Sequence, residues 1–365
     1  MKLDSKNSQS DVDVFKNFSI TYSPMIDRTI KEFFKNKKEN AEYPFIAELY
    51  LSLEEFCLRD GKRIRPLLLL ISYFGYCQGK KNDEGILLIA SILEMIHSLF
   101  LIQDDIIDRS EIRRGGKALH ILLYEKYIRL TNNRNIGNDI ALVLSDVLFS
   151  NAIEIISNAE FSPQAKNEFL RIFSKTYELT SWGQILDSMH SLSKTMDIDE
   201  SVATQISTLK TAHYTMSGPM LMGSVLAGVE DKNEEDKIKS FTLPLGLAFQ
   251  VRDDILGVFG NKEKIGKSSD SDIIEGKQTH LIENTMKNLS NTERKEFIFS
   301  LTKEKKTKKE IEDIKNIIKV SGGLEISKGR LKELIDLSRE NLLRINISDK
   351  YRRILSGLID SVKKI

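Results

Sequence analysis

Cysteine is nearly absent from this 365-residue chain: Cys57 and Cys77 are its only two, and neither stands at metal-ligand spacing from a histidine or another cysteine. A disulfide-dense scaffold and a Cys/His zinc site are thereby excluded, and two structural thiols in a reducing, cytoplasmic compartment are expected. Proline is scarce too, at six residues, and few runs alternate apolar with polar between turn residues, which argues against a sheet protein. Charge of a single sign is also missing: 54 Lys and Arg face 53 Asp and Glu, so no global field draws in nucleic acid, and a basic helical scaffold for it is disfavoured. The opening stretch, MKLDSKNSQSDVDVFKNFSI, has no apolar signal core, and no uninterrupted apolar run reaches bilayer length, so no transmembrane segment is expected.

What fills the chain is apolar residues at three- and four-residue spacing, the signature of an all-α protein long enough to bury its core without staples. Breaks such as DGKRIRP, RGGK, LTNNRNIGND and VSGG carry the residues of loops and caps, and none is long enough for an interdomain linker. The expected organisation is a polar tail over 1–20 and one helical domain over 21–365. The charged segment LTKEKKTKKEIEDIKNIIK reads as the solvated face of a helix.

One recurrence carries chemistry. QDDIID at 103–108 and VRDDILG at 251–257 each set an Asp pair before two aliphatic residues at the end of an apolar segment. On a helix Asp104 and Asp108 point the same way, with Asp105 one step round. Carboxylates so placed repel one another, and a divalent cation removes the penalty. A lone cluster reads more readily as an exposed acidic helix end, whereas two clusters favour a cation. All-oxygen donors select Mg²⁺, with Mn²⁺ as a substitute, and Mg²⁺ bound by few carboxylates completes its shell with phosphate oxygens. Cations recur nearby: Lys62, Arg63 and Arg65 in DGKRIRP, Arg113 and Arg114 after the first cluster, Lys210, and Lys267 and Lys277 after the second. Each alone reads as a surface residue; beside acidic helix ends they suit a polyphosphate.

In order, the chain shows GKRIRP, EMIHSLFLIQDDIID, RRGGKALH, SDVLFS, GQILD, LKTAHYT, FQVRDDILGVFG, GKSSDSDIIEGKQT and a terminal YRRILSGLID, and from about residue 25 onward it resembles the trans-isoprenyl diphosphate synthase (polyprenyl synthetase) family of the short-chain, archaeal-like kind. The resemblance implies an antiparallel helix bundle around an apolar cavity, working as a homodimer, that joins isopentenyl diphosphate to dimethylallyl, geranyl or farnesyl diphosphate. It implies three Mg²⁺ per site. Asp104 and Asp108 would hold two, with Asp105 supporting, and Asp253 a third, with Asp254 supporting. Arg113, Lys210, Lys267 and Lys277 match positions on the allylic diphosphate, and Lys62, Arg65, His97 and Arg114 match positions on the metal-free diphosphate of isopentenyl diphosphate. Oxygens at Lys210, Thr211 and Gln250 would face the allylic cation, and the departing diphosphate would take up the proton released after the carbon–carbon bond forms.

Four positions depart from the common pattern: Gly257 replaces a third Asp, leaving Asp272 to assist, Gln103 replaces a His, Lys117 a Pro and Ser145 a Gly. The growing tail would run down the helix before Asp104, so Phe100, Leu99 and, one turn deeper, Ile96 would form its floor. Bulk there points to geranylgeranyl diphosphate, with farnesyl diphosphate as the alternative. A class I terpene cyclase would not need Lys62, Arg65, His97 and Arg114, and a non-catalytic synthase subunit would have lost one acidic cluster.

Overall fold

The computed structural model describes residues 10–79, 82–190, 202–260 and 270–364, and these fold into helices joined by loops, with one two-residue ladder. The all-α expectation is met. The contacts divide the chain into two compact units. The N-terminal unit comprises residues 17–170 with 222–228, and the C-terminal unit the described residues of 10–16, 171–221 and 229–364.

The N-terminal unit contains most of α1 (Asp11–Glu39), then α2 (Pro44–Leu58), α3 (Ile64–Tyr76), α4 (Asp83–Ile107), the ladder β1 (Ile112–Arg113) with β2 (Gly116–Lys117), α5 (Leu119–Tyr127) and α6 (Ile136–Asn158). Its spine is α4. The Asn82 side chain accepts the Gly85 N–H at 2.9 Å, and Asp83 and Glu84 occupy the first turn, where the helix dipole favours acids. Ile86, Ile89, Leu93, Ile96 and Leu99 are buried where α4 packs on α3, α6 and α2. By length and composition α4 and α6 are apolar enough to cross a bilayer, which the sequence reading did not anticipate. In α4, 72% of the apolar window is buried inside the protein and Glu94 and His97 interrupt it, as befits a core helix; in α6 the share is 44%.

The C-terminal unit takes α7 (Pro163–His190) from Arg171 on, a helix built from α8 (Val202–Ile206), a π-helical stretch at Ser207–Ser217 and α9 (Gly218–Leu226) as far as Leu221, α10 (Lys232–Phe259), α11 (Ser271–Glu275), α12 (His280–Lys287), α13 (Asn291–Leu301), α14 (Lys308–Val320), α15 (Gly323–Leu342) and α16 (Asp349–Lys363). Pro244 within α10 has no N–H for the Ser240 carbonyl, and the Asn341 amide of α15 donates to it instead at 3.0 Å. The charged segment is α14, closed by a Thr307–Glu310 capping box, with Ile311, Ile314 and Ile318 buried and Lys308, Lys309 and Lys319 exposed.

Residues 11–20 correct the tail expectation. They are helical because Phe15 is buried, Asp11 pairs with Arg353 of α16 at 2.8 Å, and Gly357 lets the backbones touch; a Cβ there would lie 1.9 Å from the Asp11 carbonyl oxygen. Both cysteines are free, and burial pushes the Cys57 thiol up to about 12, consistent with an inert structural role.

Candidate active site

The acidic end of α4 lies at the negative pole of its own dipole, where carboxylates are unfavourable unless a cation meets them. Asp104 is half-buried in the last turn, and Asp108 is the exposed C-cap, its N–H bonded to the Asp104 carbonyl at 2.8 Å. Asp105 differs: it is 0% exposed and forms a buried ion pair with Arg113, whose Nε donates at 2.7 Å. Arg113, expected at the allylic diphosphate, is thus anchored to the supporting aspartate of the same cluster.

Arg114 is anchored in parallel. Its Nη1 and Nη2 both donate to Glu94 Oε1 at 3.2 Å, and Arg63 Nη1 donates to that same oxygen at 2.7 Å. Arg63 is itself tied to Asp27 at 2.8 Å and to the Arg59 carbonyl at 2.9 Å, while Arg59 Nη1 bonds the carbonyls of Arg113 and Lys117. The loop before α3 and the β1–β2 ladder are so knitted together. Arg63, Arg109 and Arg114 all have φ near 50°, a left-handed conformation costing an L-residue about 1–2 kcal/mol, and these bonds hold the side chains of Arg63 and Arg114. Gly61 admits the guanidiniums: a Cβ there would lie 2.9 Å from Arg63 Nη1 and 3.0 Å from Arg114 Nη2. His97 follows Glu94 by three residues. Burial, and then the charges of Arg65, Arg114, Arg113 and Arg63, hold its pKa well below the ordinary imidazole value, so at neutral pH it is an uncharged hydrogen-bonding ring. Arg65 is half-buried in the first turn of α3, and Lys62 is exposed in the loop.

In the C-terminal unit a hydrogen-bonded chain crosses from the π stretch to α10. Thr211 Oγ1 donates to Gln250 Oε1 at 2.8 Å, Gln250 Nε2 donates to Asp254 Oδ1 at 2.8 Å, and the His280 N–H donates to Asp254 Oδ2 at 3.1 Å. Burial, outweighing the Gln250 bond, and the charge of Asp272 push Asp254 up to about 8. Asp253, beside it, is half-exposed and pairs with Arg252 Nη2 at 2.8 Å. Lys210 Nζ pairs with Asp187 of α7 at 2.9 Å. Two glycines let neighbouring helices press on this segment: a Cβ at Gly183 would lie 2.6 Å from the Lys210 nitrogen, and one at Gly246 2.5 Å from Ala212 Cα. π-Helical turns of this sort gather at functional sites.

The Gly257 departure has a structural counterpart. A Cβ at 257 would lie 2.4 Å from Asp272 Oδ2, so the carboxylate of α11 occupies the room a third Asp side chain would need. Gln103 and Ser145, two further departures, bond to each other at 3.1 Å, and Lys117 bonds Glu125. Lys277 pairs with Glu275 at 2.6 Å, and Lys267 lies outside the described residues. Ile96, Leu99 and Phe100 are all buried in the N-terminal unit. Among the described residues no three acidic, imidazole or thiol groups form a complete metal cage. Mg²⁺ takes one or two carboxylates and fills its octahedron with water and substrate oxygens, so half-exposed aspartates, with Asp272 beside Gly257, suit it.

Sequence reasoning missed Glu94 and Asp187 and left Arg63 without a role. A charged residue inside the apolar run ILEMIHSLF, one turn before His97, was the available signal for Glu94.

Buried carboxylate–arginine pairs beside an acidic helix end give this all-helical chain a framework suited to an anionic ligand. The polyprenyl synthetase family model matches residues 46–319. The short-chain isoprenyl diphosphate synthase of Methanocaldococcus jannaschii is 30% identical over 279 residues, 75% of this chain and 77% of that protein. The geranylgeranyl diphosphate synthase of Saccharolobus solfataricus is also 30% identical, over 84% of this chain and 88% of its own. A crystal structure of geranylgeranyl pyrophosphate synthase from Corynebacterium glutamicum, complexed with isoprenyl diphosphate and magnesium, aligns with a TM-score of 0.84 at 26% identity, covering 94% of this chain and 98% of that one. The chain belongs to the polyprenyl synthetase family and is a short-chain trans-prenyltransferase.

Proposed function

We propose that the protein condenses isopentenyl diphosphate head-to-tail with dimethylallyl, geranyl and farnesyl diphosphates to give geranylgeranyl diphosphate, in a Mg²⁺-dependent reaction. The observation that carries this reading is the coexistence, in one unit, of half-buried Asp104 and exposed Asp108 with a separate arginine cluster around neutral His97. A diphosphate that must leave needs divalent cations; one that must stay needs only guanidiniums, ammonium and a hydrogen-bonding imidazole. A terpene cyclase has no use for the second set.

Asp104 and Asp108, with Asp105 supporting, and Asp253, with Asp254 and Asp272 supporting, would hold three Mg²⁺, or Mn²⁺ in their place. When bound, the ions supply charge neutralisation for the leaving diphosphate. Arg113, Lys210, Lys267 and Lys277 would grip that diphosphate, and Lys62, Arg65, His97 and Arg114 the other. The Thr211 hydroxyl spends its proton on Gln250 and therefore offers only lone pairs, a dipole that stabilises an allylic cation without trapping it. The C1–O bond of the allylic ester breaks, C1 bonds to the terminal alkene carbon of isopentenyl diphosphate, and the C2 proton passes to the released diphosphate. Buried Ile96, Leu99 and Phe100 would keep water from the cation and bound the tail.

A homodimer is part of this reading. The apolar helix α6 leaves Leu142, Val143 and Ile153 exposed, and α7 leaves Trp182, Ile185 and Met189 exposed, apolar surface suited to a second copy. The free thiols suit a cytoplasmic setting. Kinetics of single variants test the assignment: Arg65→Ala raises KM for isopentenyl diphosphate, and Lys210→Ala raises KM for the allylic substrate. Equal effects of each variant on both constants contradict it.

A further inference from the structure

We infer that Glu94 is a positioning residue of the isopentenyl diphosphate subsite, holding Arg114 in place without touching substrate; this rests on the proposed function. Its side chain is 2% exposed and sits mid-helix in α4, where an isolated carboxylate would be costly. Two guanidiniums from separate loops converge on its Oε1, that of Arg63 at 2.7 Å and that of Arg114 at 3.2 Å. The two arginines are not equivalent. Arg63 has a side chain 2% exposed, with its Nε bonded to Asp27 and its Nη2 to the Arg59 carbonyl, so it is an internal anchor for Glu94. The Arg114 side chain is 17% exposed and gives only two longer bonds to Glu94, which leaves donors for an anion.

Buried ion pairs add little net stability compared with apolar groups of the same size, so stability alone gives weak reason for a carboxylate here. Its effect on Arg114 is specific. Arg114 follows Arg113 directly, and each takes its carboxylate from α4: Asp105 for Arg113, Glu94 for Arg114. With its backbone fixed at φ 50° and its guanidinium held, Arg114 has surrendered its rotamer freedom before substrate arrives. Glu94 also offsets the mutual repulsion of Arg63 and Arg114. Removing its charge frees Arg114 to swing away, and binding must then order that side chain again, a loss of about ten-fold in affinity.

The test is steady-state kinetics of the full-length enzyme with Mg²⁺, varying isopentenyl and allylic diphosphate separately, for wild type, Glu94→Gln and Glu94→Asp. Glu94→Gln is expected to raise KM for isopentenyl diphosphate about ten-fold while KM for the allylic substrate and kcat stay within about three-fold. Glu94→Asp, which keeps the charge on a shorter arm, gives a smaller rise in the same constant. A KM for isopentenyl diphosphate within two-fold of wild type, or parallel rises in both KM values, overturns the inference. If Glu94→Gln does not fold, Glu94→Asp decides: a three-fold or larger selective rise supports the role, and an unchanged constant overturns it. Condensation by wild type with unaltered Glu94 variants removes only this inference, whereas wild type that makes no prenyl product removes the proposed function as well.

Discussion

Substituting the three aspartates of α4 one at a time separates roles that a single motif conceals. Asp104 and Asp108 stand four residues apart at the negative end of the helix dipole. Each carboxylate there is unfavourable by about 0.3–1 kcal/mol, and their mutual repulsion adds a few tenths. In EDTA, Asp104→Asn or Asp108→Asn is expected to move stability by no more than about 1 kcal/mol while lowering condensation by about a hundred-fold or more. Asp105→Asn differs. It leaves Arg113 buried beside a neutral amide, at a cost of about 3–5 kcal/mol. At roughly 2–4 °C per kcal/mol for a unit of this size, melting falls by about 6–20 °C. Thermal melts by circular dichroism in EDTA, paired with product assays in Mg²⁺, read both effects. Asp104→Asn melting as low as Asp105→Asn, or Asp105→Asn melting at the wild-type temperature, would refute the division of labour.

Further outcomes follow from other parts of the structure. Asp254 keeps its proton up to about 8 in the folded chain but sheds it near 3.8 when unfolded. The folded state therefore binds more protons between those values, and its contribution to stability falls as pH rises through that window; Asp254→Asn should flatten this part of the stability curve in ion-free buffer, and an unchanged curve argues against a buried neutral carboxyl. Alanine at both Leu99 and Phe100 should lengthen the dominant prenyl alcohol recovered after dephosphorylation, whereas unchanged length places the tail's floor elsewhere. Gly246→Ala should lower kcat by displacing Ala212 and its neighbour Thr211, with far-UV circular dichroism preserved; wild-type turnover would show the close approach to be dispensable. Val143→Glu on the exposed face of α6 should shift the protein to monomer in analytical ultracentrifugation if that face meets a second copy.

Helix spacing, the acidic ends of α4 and α10, and the cation-bearing loops were legible because each depends on local pattern. The helix over 11–20 was not, since a polar segment needs only Phe15 and the Asp11–Arg353 contact, made with a residue at the far end of the chain, to dock. The π stretch was hidden for a related reason: Gly183 and Gly246, remote in sequence, let the helices press on Lys210 and Ala212. The pairing of Gln103 with Ser145 shows why two departures taken singly looked arbitrary. Glu94 escaped notice because its partners come from loops before and after it, and the sum of those bonds, not any motif, gives it a place.

Product sizing with and without divalent ions tests the central claim most directly. Purified protein is incubated with labelled isopentenyl diphosphate and dimethylallyl, geranyl or farnesyl diphosphate in turn, in Mg²⁺ or in EDTA, and the dephosphorylated alcohols are sized. The C20 alcohol from every primer in Mg²⁺, and none in EDTA, is the result expected; no prenyl alcohol from any primer, or equal yield after chelation, would contradict the account.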